Sequence, residues 1–287
     1  MPRCAFLSTD NLEDFFVYDD LVKPFLRRLG WAVEDVSWRN KYIDYNQFEL
    51  VVVRSTWDYQ DDADAFLACL RRIEQSNAVL ENAYDLMHWN ISKSYLQDLS
   101  NKGVQTLPTL WPERFSLTEV EDAFNHFNTE KLIIKPLVSA NADHTYLFTK
   151  TELGKIATRL EQTFSDRAFM IQAFEKSVKT QGEYSLFYFG NAFSHGICKM
   201  PAQDDFRVQE EHGGQLTSLV PTEPMLALAE QTIQALPAPA LYARIDMLNT
   251  ERGLEIIEVE LIEPSLYFNM DEDSASRFAQ VIHQKYA

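Results

Sequence analysis

The sequence predicts an α/β fold whose middle section is α+β, and three observations carry that prediction. Through the first 82 residues, short apolar runs alternate with stretches of helical period, the pattern of parallel strands linked by crossover helices. Beyond them, apolar runs come in adjacent pairs joined by turn residues such as Gly190-Asn191 and Asn249 to Gly253, the pattern of antiparallel hairpins. The 287 residues suit two domains or subdomains, and 46% hydrophobic content with 24% charged is enough to bury a substantial core.

RCAFLS opens the chain as a short buried strand. A helix is expected through FFVYDDLVKPFLRRLG, ending at Gly30, with Pro24 bending it or delaying its start. WAVEDVSW and FELVVVRS follow as strands. QDDADAFLACLRRIEQ is an amphipathic helix with acids first and arginines last, which suits the helix dipole. Asp85 to Gly103 reads as mainly one helix carrying Lys93, and SLTEVEDAFNHF as another. The strands KLIIKPLV and HTYLFT are joined by SANAD, then come the helix TELGKIATRLEQTF and the strand AFMIQAF. EYSLFYFGNAFSHGICKMP is a hairpin, DDFRVQEEHGGQ a polar loop, and TEPMLALAEQTIQAL a helix. A second hairpin, RIDML-NTERG-LEIIEVE, and the helix SASRFAQVIHQKY close the chain. The expected units are a parallel α/β domain over 1–82, a linker helix and central lid over 83–174, and an antiparallel-sheet domain over 175–287.

Charge and cysteines restrict the function. There are 26 Lys and Arg against 43 Asp and Glu, a net charge of −17, with no basic stripe to follow a nucleic acid. Any phosphate site must therefore bring its own lysines, arginines and metal ions. Cys4, Cys69 and Cys198 are scattered, which argues for a reducing cytoplasm and against structural zinc. The N-terminus turns acidic too soon for a signal peptide, and the longest apolar runs fall short of a membrane span.

The second hairpin is the main chemical signal. Side chains alternate faces along a strand, so pairing Asp246 with Ile256 or Glu258 gathers Arg244, Asp246, Glu258 and Glu260 on one side. Ile245, Met247, Ile257, Val259 and Leu261 form the other, apolar side. Three carboxylates need more counter-charge than one Arg supplies. Either they are a solvated sheet face, or they hold a hard divalent cation such as Mg²⁺.

Other candidates are weaker singly. Lys135 stands on an otherwise apolar strand, where an ammonium either meets an anion such as phosphate or snorkels to water. Ser139 and Ala140 open SANADHT, whose backbone N–H groups could cradle an anion, although the loop has no glycine. Glu183 begins a strand where it could accept from ribose hydroxyls or simply be exposed. Lys199 and Arg207 are cations near Gly213 and Gly214, free to meet a phosphate or carboxylate or to lie on the surface. Arg54, Ser55, Thr56, Trp57 and Asp58 follow a parallel strand, the edge where ligands bind in open α/β sheets, and Asp10 lies at the same edge. Arg54 and Asp58 could instead pair with each other, and Trp57 could cap the core. His195 lacks metal-ligand spacing and is expected to be structural or substrate-orienting.

Taken in order, Lys93, IIKP, MIQAF, Glu183, RIDML and EVELIEP resemble the ATP-grasp superfamily along nearly the whole chain. RSTWDY, WNISKSYL, KPLVSANADHT, GEYSLFYFG, FSHGICK and EVELIEPSLYF are most similar to the ligase that closes D-cycloserine, in the branch with D-alanine–D-alanine ligase and bacterial glutathione synthetase. The resemblance implies ATP between two antiparallel sheets, with Lys93 and Lys135 on its phosphates. Ile171 to Phe174, including Gln172 and Ala173, would meet the adenine, and Glu183 the ribose. It implies two Mg²⁺ ions, or Mn²⁺, on Asp246, Glu258 and Glu260. Arg244 would steady the transferring phosphoryl group. Many relatives have Asn in place of Glu260 and a glycine-rich loop in place of SANAD.

The implied activity is an ATP-dependent carboxylate–amine ligase that forms an amide through an acyl phosphate on a small amino-acid-like substrate. Lys199, Arg207, Gly213 and Gly214 would hold its reacting end, and Asp10, Arg54 to Asp58 and His195 the rest. The alternatives are an intramolecular cyclising ligase and an ATP-binding regulatory protein without catalysis. No nucleic-acid or membrane partner is expected. Relatives are often dimers or tetramers, so a homo-oligomer is compatible.

Overall fold

The computed structural model describes residues 1–13, 15–139, 142–203 and 205–287. The first sheet is parallel and comprises β1 (Arg3–Ser8), β2 (Ala32–Ser37), β3 (Leu50–Ser55) and β4 (Val79–Glu81), in the order β2-β1-β3-β4. β3 is buried at every position because both its faces are covered. Leu50 and Val52 join a cluster with Leu26, Trp31, Phe278 and Ile282; Val51 and Val53 join another with Phe66, Leu70 and Ile73. The helix expected from Phe15 is shorter than its apolar pattern. A 3₁₀ turn over Asp19–Leu21 precedes α1 (Lys23–Arg28), which carries Pro24 in its first turn. Proline lacks the N–H an interior turn needs, so the helix starts at it. α2 (Ala63–Glu74) is capped by the Asp62 side chain, which accepts from the Ala65 N–H.

The helix expected over Asp85 to Gly103 is two helices, α3 (Tyr84–Asn90) and α4 (Tyr95–Asn101). Lys93 lies in the break, where its backbone N–H donates to Leu137 O at 2.8 Å instead of to a helical carbonyl. β5 (Thr109–Leu110), α5 (Leu117–His126), β6 (Lys131–Pro136), β7 (Tyr146–Thr149), α6 (Leu153–Phe164) and β8 (Phe169–Ala173) follow. Their strands form an antiparallel sheet in the order β5-β8-β6-β7. Leu132 and Ile134 pack against Phe164, Phe169 and Ile171, which turns Ile133 and Lys135 to the opposite face.

The last section holds α7 (Ser177–Thr180), β9 (Glu183–Phe189), β10 (Ala192–Met200), β11 (Gln215–Leu219), α8 (Glu223–Ala235), β12 (Tyr242–Thr250), β13 (Gly253–Glu260) and α9 (Ser274–Tyr286). Its antiparallel sheet runs β11-β10-β9-β12-β13. The polar loop expected before Gln215 leads into β11, an edge strand whose exposed, hydrophilic side chains hide the strand pattern. Two buried asparagines tie neighbouring segments to this sheet, Asn82 from the end of β4 and Asn90 from α3. Asn82 Nδ2 donates to Tyr242 O at 3.0 Å and Leu261 O at 2.6 Å, and Asn90 Nδ2 donates to Val259 O at 2.8 Å. Among the described residues no helix is long and apolar enough to cross a membrane.

Candidate active site

A cleft of about 1610 Å³, counting its open mouth, lies between the sheet of β6 and β8 and the sheet of β9, β10, β12 and β13. Lys135, Gln172, Ala173 and Phe174 line one wall; Glu183, Lys199, Arg244, Asp246, Glu258 and Glu260 line the other. Lys93, Ser139, Arg207 and Trp57 reach it from connecting segments.

The acids share this cleft because of a register shift. Near the turn the hairpin pairs Thr250 with Gly253 and Met247 with Ile256. Beyond Met247 the register moves by one residue, so Asp246 opposes Glu258 and Arg244 opposes Glu260. Ile257 is the extra residue of this β-bulge. The bulge revises the expected apolar face: Ile256, not Ile257, packs with Ile245, Met247, Val259 and Leu261, while Ile257 lines the cleft beside Leu248 and Val178.

One oxygen from each of Asp246, Glu258 and Glu260 lies within 4.8 Å of the other two. Three carboxylates at that spacing fit a hard cation taking oxygen ligands. The protein's own cations also compensate them. Arg244 Nη2 donates to Asp246 Oδ2 at 2.9 Å and also to Glu260. Lys93 Nζ pairs with Glu258 and donates to Ser139 O at 3.2 Å. Lys199 pairs with Glu183 and stands 3.6 Å from Asp246. The cleft is thus a mixed-charge network, not the purely cationic pocket that an anionic ligand alone suggests. Lys135 makes no ion pair among the described residues. Burial pulls its pKa down; Glu258 opposes this and Lys93 adds to it.

The two glutamates respond in opposite senses. Burial works to raise Glu258, but Lys93 and Lys135 outweigh it and hold the carboxyl down to about 2. Burial lifts Glu260 to about 7; Arg244 opposes the rise, and Glu258 and Asp246 reinforce it.

Several expected residues lie elsewhere. Ala140 falls outside the described residues. Asp10 is exposed and does not line the cleft. Arg54 and Asp58 do not pair with each other. Arg54 is buried, donates from Nε to Asp19 Oδ1 at 2.9 Å and from Nη2 to Pro264 O at 2.9 Å. Asp58 accepts from Trp38 and Arg39. Ser55 donates to Asp19, and Thr56 is wholly buried. Of that segment only Trp57 lines the cleft, its indole N–H donating to Glu263 O at 2.8 Å. Gly213 and Gly214 do not line it; they close a turn in which a Cβ on Gly214 would stand 2.0 Å from Val208 O. Arg207 does line it, with its guanidinium held by Asp205.

His195 shares the face of β10 that carries Lys199, but further along the strand, under the C-terminal aromatic cluster. Its ring stacks on Phe187 at 4.3 Å, and Nε2–H donates to Leu266 O at 3.1 Å. Burial, against that carbonyl, lowers its pKa from 6.5 to about 4. The folded state therefore binds fewer protons than the unfolded one between these values, and stability falls as pH drops through that window. At pH 5 this amounts to about 2 kcal/mol relative to pH 8. Urea melts should show that loss in the parent protein, and His195→Gln should lack that share of it; equal slopes in the two proteins would remove His195 as its source.

Glu263, Tyr59 and Tyr267 line the cleft and were not among the expected residues. Glu263 has odd parity relative to Glu258 and Glu260, so a strand-face argument passes it over. Pro264 after it is the one local sign that the strand has ended.

The fold is the ATP-grasp fold, a parallel domain beside two antiparallel sheets that face each other across acids and lysines. Residues 4–82 match the family model described as the N-terminal domain of D-cycloserine synthetase DcsG. The chain is 26% identical to the cycloserine biosynthesis protein DcsG of Streptomyces lavendulae over 97% of each chain. The crystal structure of D-cycloserine synthetase DcsG superposes with a TM-score of 0.88 at 24% identity, covering 99% of this chain and 100% of that one. The ATP-grasp ligase PsnB, complexed with a precursor variant, Mg and ADP, superposes with a TM-score of 0.69 at 13% identity over 98% of each chain. The chain therefore has the ATP-grasp fold and is similar along nearly its whole length to the D-cycloserine synthetase.

Proposed function

We propose that the protein joins a carboxyl group to an amine of a small amino-acid-like substrate, through an acyl phosphate, with release of ADP and phosphate. The observation that carries this reading is the meeting of Asp246, Glu258 and Glu260 with Lys93 and Lys135 in one cleft. Lys93, Lys135, Lys199 and Arg244 are nearly balanced by Glu183, Asp246, Glu258 and Glu260, so a triphosphate needs additional positive charge there. Mg²⁺, as two ions or replaced by Mn²⁺, fits the three carboxylates and supplies that charge when bound.

The chain's own groups divide the remaining work. Lys135, without an ion pair among the described residues, is the ammonium most available to a phosphate oxygen. Lys93 is positioned for the same polyanion once Glu258 is engaged elsewhere. The backbone at Gln172, Ala173 and Phe174 receives the base, and Glu183 the ribose. Arg244 disperses the charge that develops on the transferring phosphoryl group and then on the oxyanion of the tetrahedral intermediate. The apolar patch of Val178, Leu248 and Ile257 excludes water from the base.

A one-substrate, ring-closing version is favoured by a specific observation: the relative that aligns over 97% of the chain is a cycloserine biosynthesis protein. Both versions are tested by incubating the protein with Mg·ATP and pools of amino acids and their ester or ureido derivatives, then measuring ADP. Mass spectrometry separates loss of water from one molecule from the joining of two. Nucleotide binding without ADP release from any pool would sink the ligase reading.

A further inference from the structure

At the end of the cleft formed by the parallel domain, Glu263 is 9% exposed and forms no ion pair among the described residues. It lines the cleft, where its charged neighbours are Glu260, Lys93 and Glu258. Lys93 is engaged by Glu258 and Arg244 by Asp246 and Glu260, which leaves Glu263 without a cation of its own. Phe15, Trp57 and Tyr59 line the same end, with the Phe15 and Trp57 rings 5.1 Å apart at their centroids. The Trp57 indole donates to the Glu263 carbonyl, which fixes the aromatic wall to the acid's own backbone.

Burial, with Glu260 and Glu258 adding to it and Lys93 opposing, raises the Glu263 carboxyl to about 8, so it stays largely protonated near neutral pH until a cation joins it. Here the missing partner is a cation small enough to enter between aromatic faces. Aromatic rings favour ammonium groups through their π faces, and a carboxylate beside them adds a charge-assisted hydrogen bond. A phosphate or a substrate carboxylate is disfavoured at this end by Glu263 and Glu260 together. Lys199 and Arg244 are already engaged, Lys199 by Glu183 and Arg244 by Asp246 and Glu260.

We propose that Glu263, enclosed by Phe15, Trp57 and Tyr59, binds the ammonium group of an amino-acid substrate whose carboxyl end points toward Arg244. This rests on the ligase reading and adds to it: the substrate is a free amine, recognised by the C-terminal domain's Glu263 together with aromatic side chains of the parallel domain. Substrates lacking the charged amine form no ion pair with Glu263 and forgo that interaction, which sets the preference.

The test uses the full chain saturated with Mg·AMP-PNP. Alanine and serine of both hands are compared with the matching hydroxy acids, lactate and glycerate, by thermal shift and intrinsic tryptophan fluorescence. At least one amino acid is expected to bind about 10- to 100-fold more tightly than its hydroxy counterpart. Glu263→Gln should erase that preference while Mg·AMP-PNP affinity stays at the parent value, which also reports folding. Glu263→Asp should restore part of it. Equal binding of hydroxy and amino acids, a preference retained in Glu263→Gln, or no amino-acid binding by nucleotide-loaded protein each overturns the proposal alone. Failure of Mg·AMP-PNP itself to bind overturns the ligase reading and this proposal together.

Discussion

Glu258→Gln is expected to reduce Mg²⁺-dependent ADP release about 10²- to 10³-fold while leaving the fold intact. The amide keeps the size and one oxygen of the carboxylate but none of its charge. Glu258 stands opposite Asp246 in the hairpin, pairs with Lys93, and is held ionised by Lys93 and Lys135. Removing its charge frees Lys93 and weakens any cation that bridges it to Asp246 and Glu260. The experiment measures ADP release against Mg²⁺ concentration, with circular dichroism as the fold check. Turnover within a factor of about three of the parent would count heavily against the site assignment, because effects on groups of this kind are far larger.

Arg244→Ala is expected to lose turnover about 10³-fold and, unlike Glu258→Gln, to lose stability as well. The Arg244 side chain is 11% exposed, and its guanidinium serves Asp246 and Glu260 at once. Without it the two carboxylates face each other, and among the described residues Lys199, 3.6 Å from Asp246, is the remaining cation within ion-pair distance of either. Breaking such a buried pair costs about 3 kcal/mol. Added Mg²⁺ should return part of the lost stability, since it replaces the missing positive charge and binds the folded state alone. Urea titrations with and without Mg²⁺ measure both effects. An unchanged midpoint in the metal-free variant would mean that the Arg244 network is energetically idle. Arg244→Lys should recover little, because a single ammonium cannot reach both carboxylates with a planar fork.

The reach of sequence reasoning followed the physics of each element. The side of the sheet taken by Arg244, Asp246, Glu258 and Glu260 was legible because strand side chains alternate with period two. Lys135 was legible because it is the one charge inside an apolar strand. The break that presents Lys93 was not, since it depends on a carbonyl at Leu137, which only the folded chain brings near. His195 shows a different limit: parity predicts a face but not how far along the strand the cleft extends. Arg54 and Asp58 were read as facing a ligand, yet their partners, Asp19 and Arg39, come from segments with no local signal linking them. Glu263 was passed over for a related reason. It follows the end of its strand, and it enters the cleft by the path of the chain toward Pro264 rather than by alternation.

Ile257 separates two parts of the molecule that could otherwise change only together. Had the ladder continued from Met247 and Ile256 in step, Glu258 would stand opposite Ile245 on the apolar side. By absorbing one residue, the hairpin lets its tip keep a two-residue reversal while its base keeps the acids aligned. Position 257 is released from the pairing pattern, so its bulk can drift and reshape the cleft beside Leu248 and Val178 with the carboxylates undisturbed. The width of that part of the cleft can thus change one methyl group at a time while Asp246, Glu258 and Glu260 stay in register.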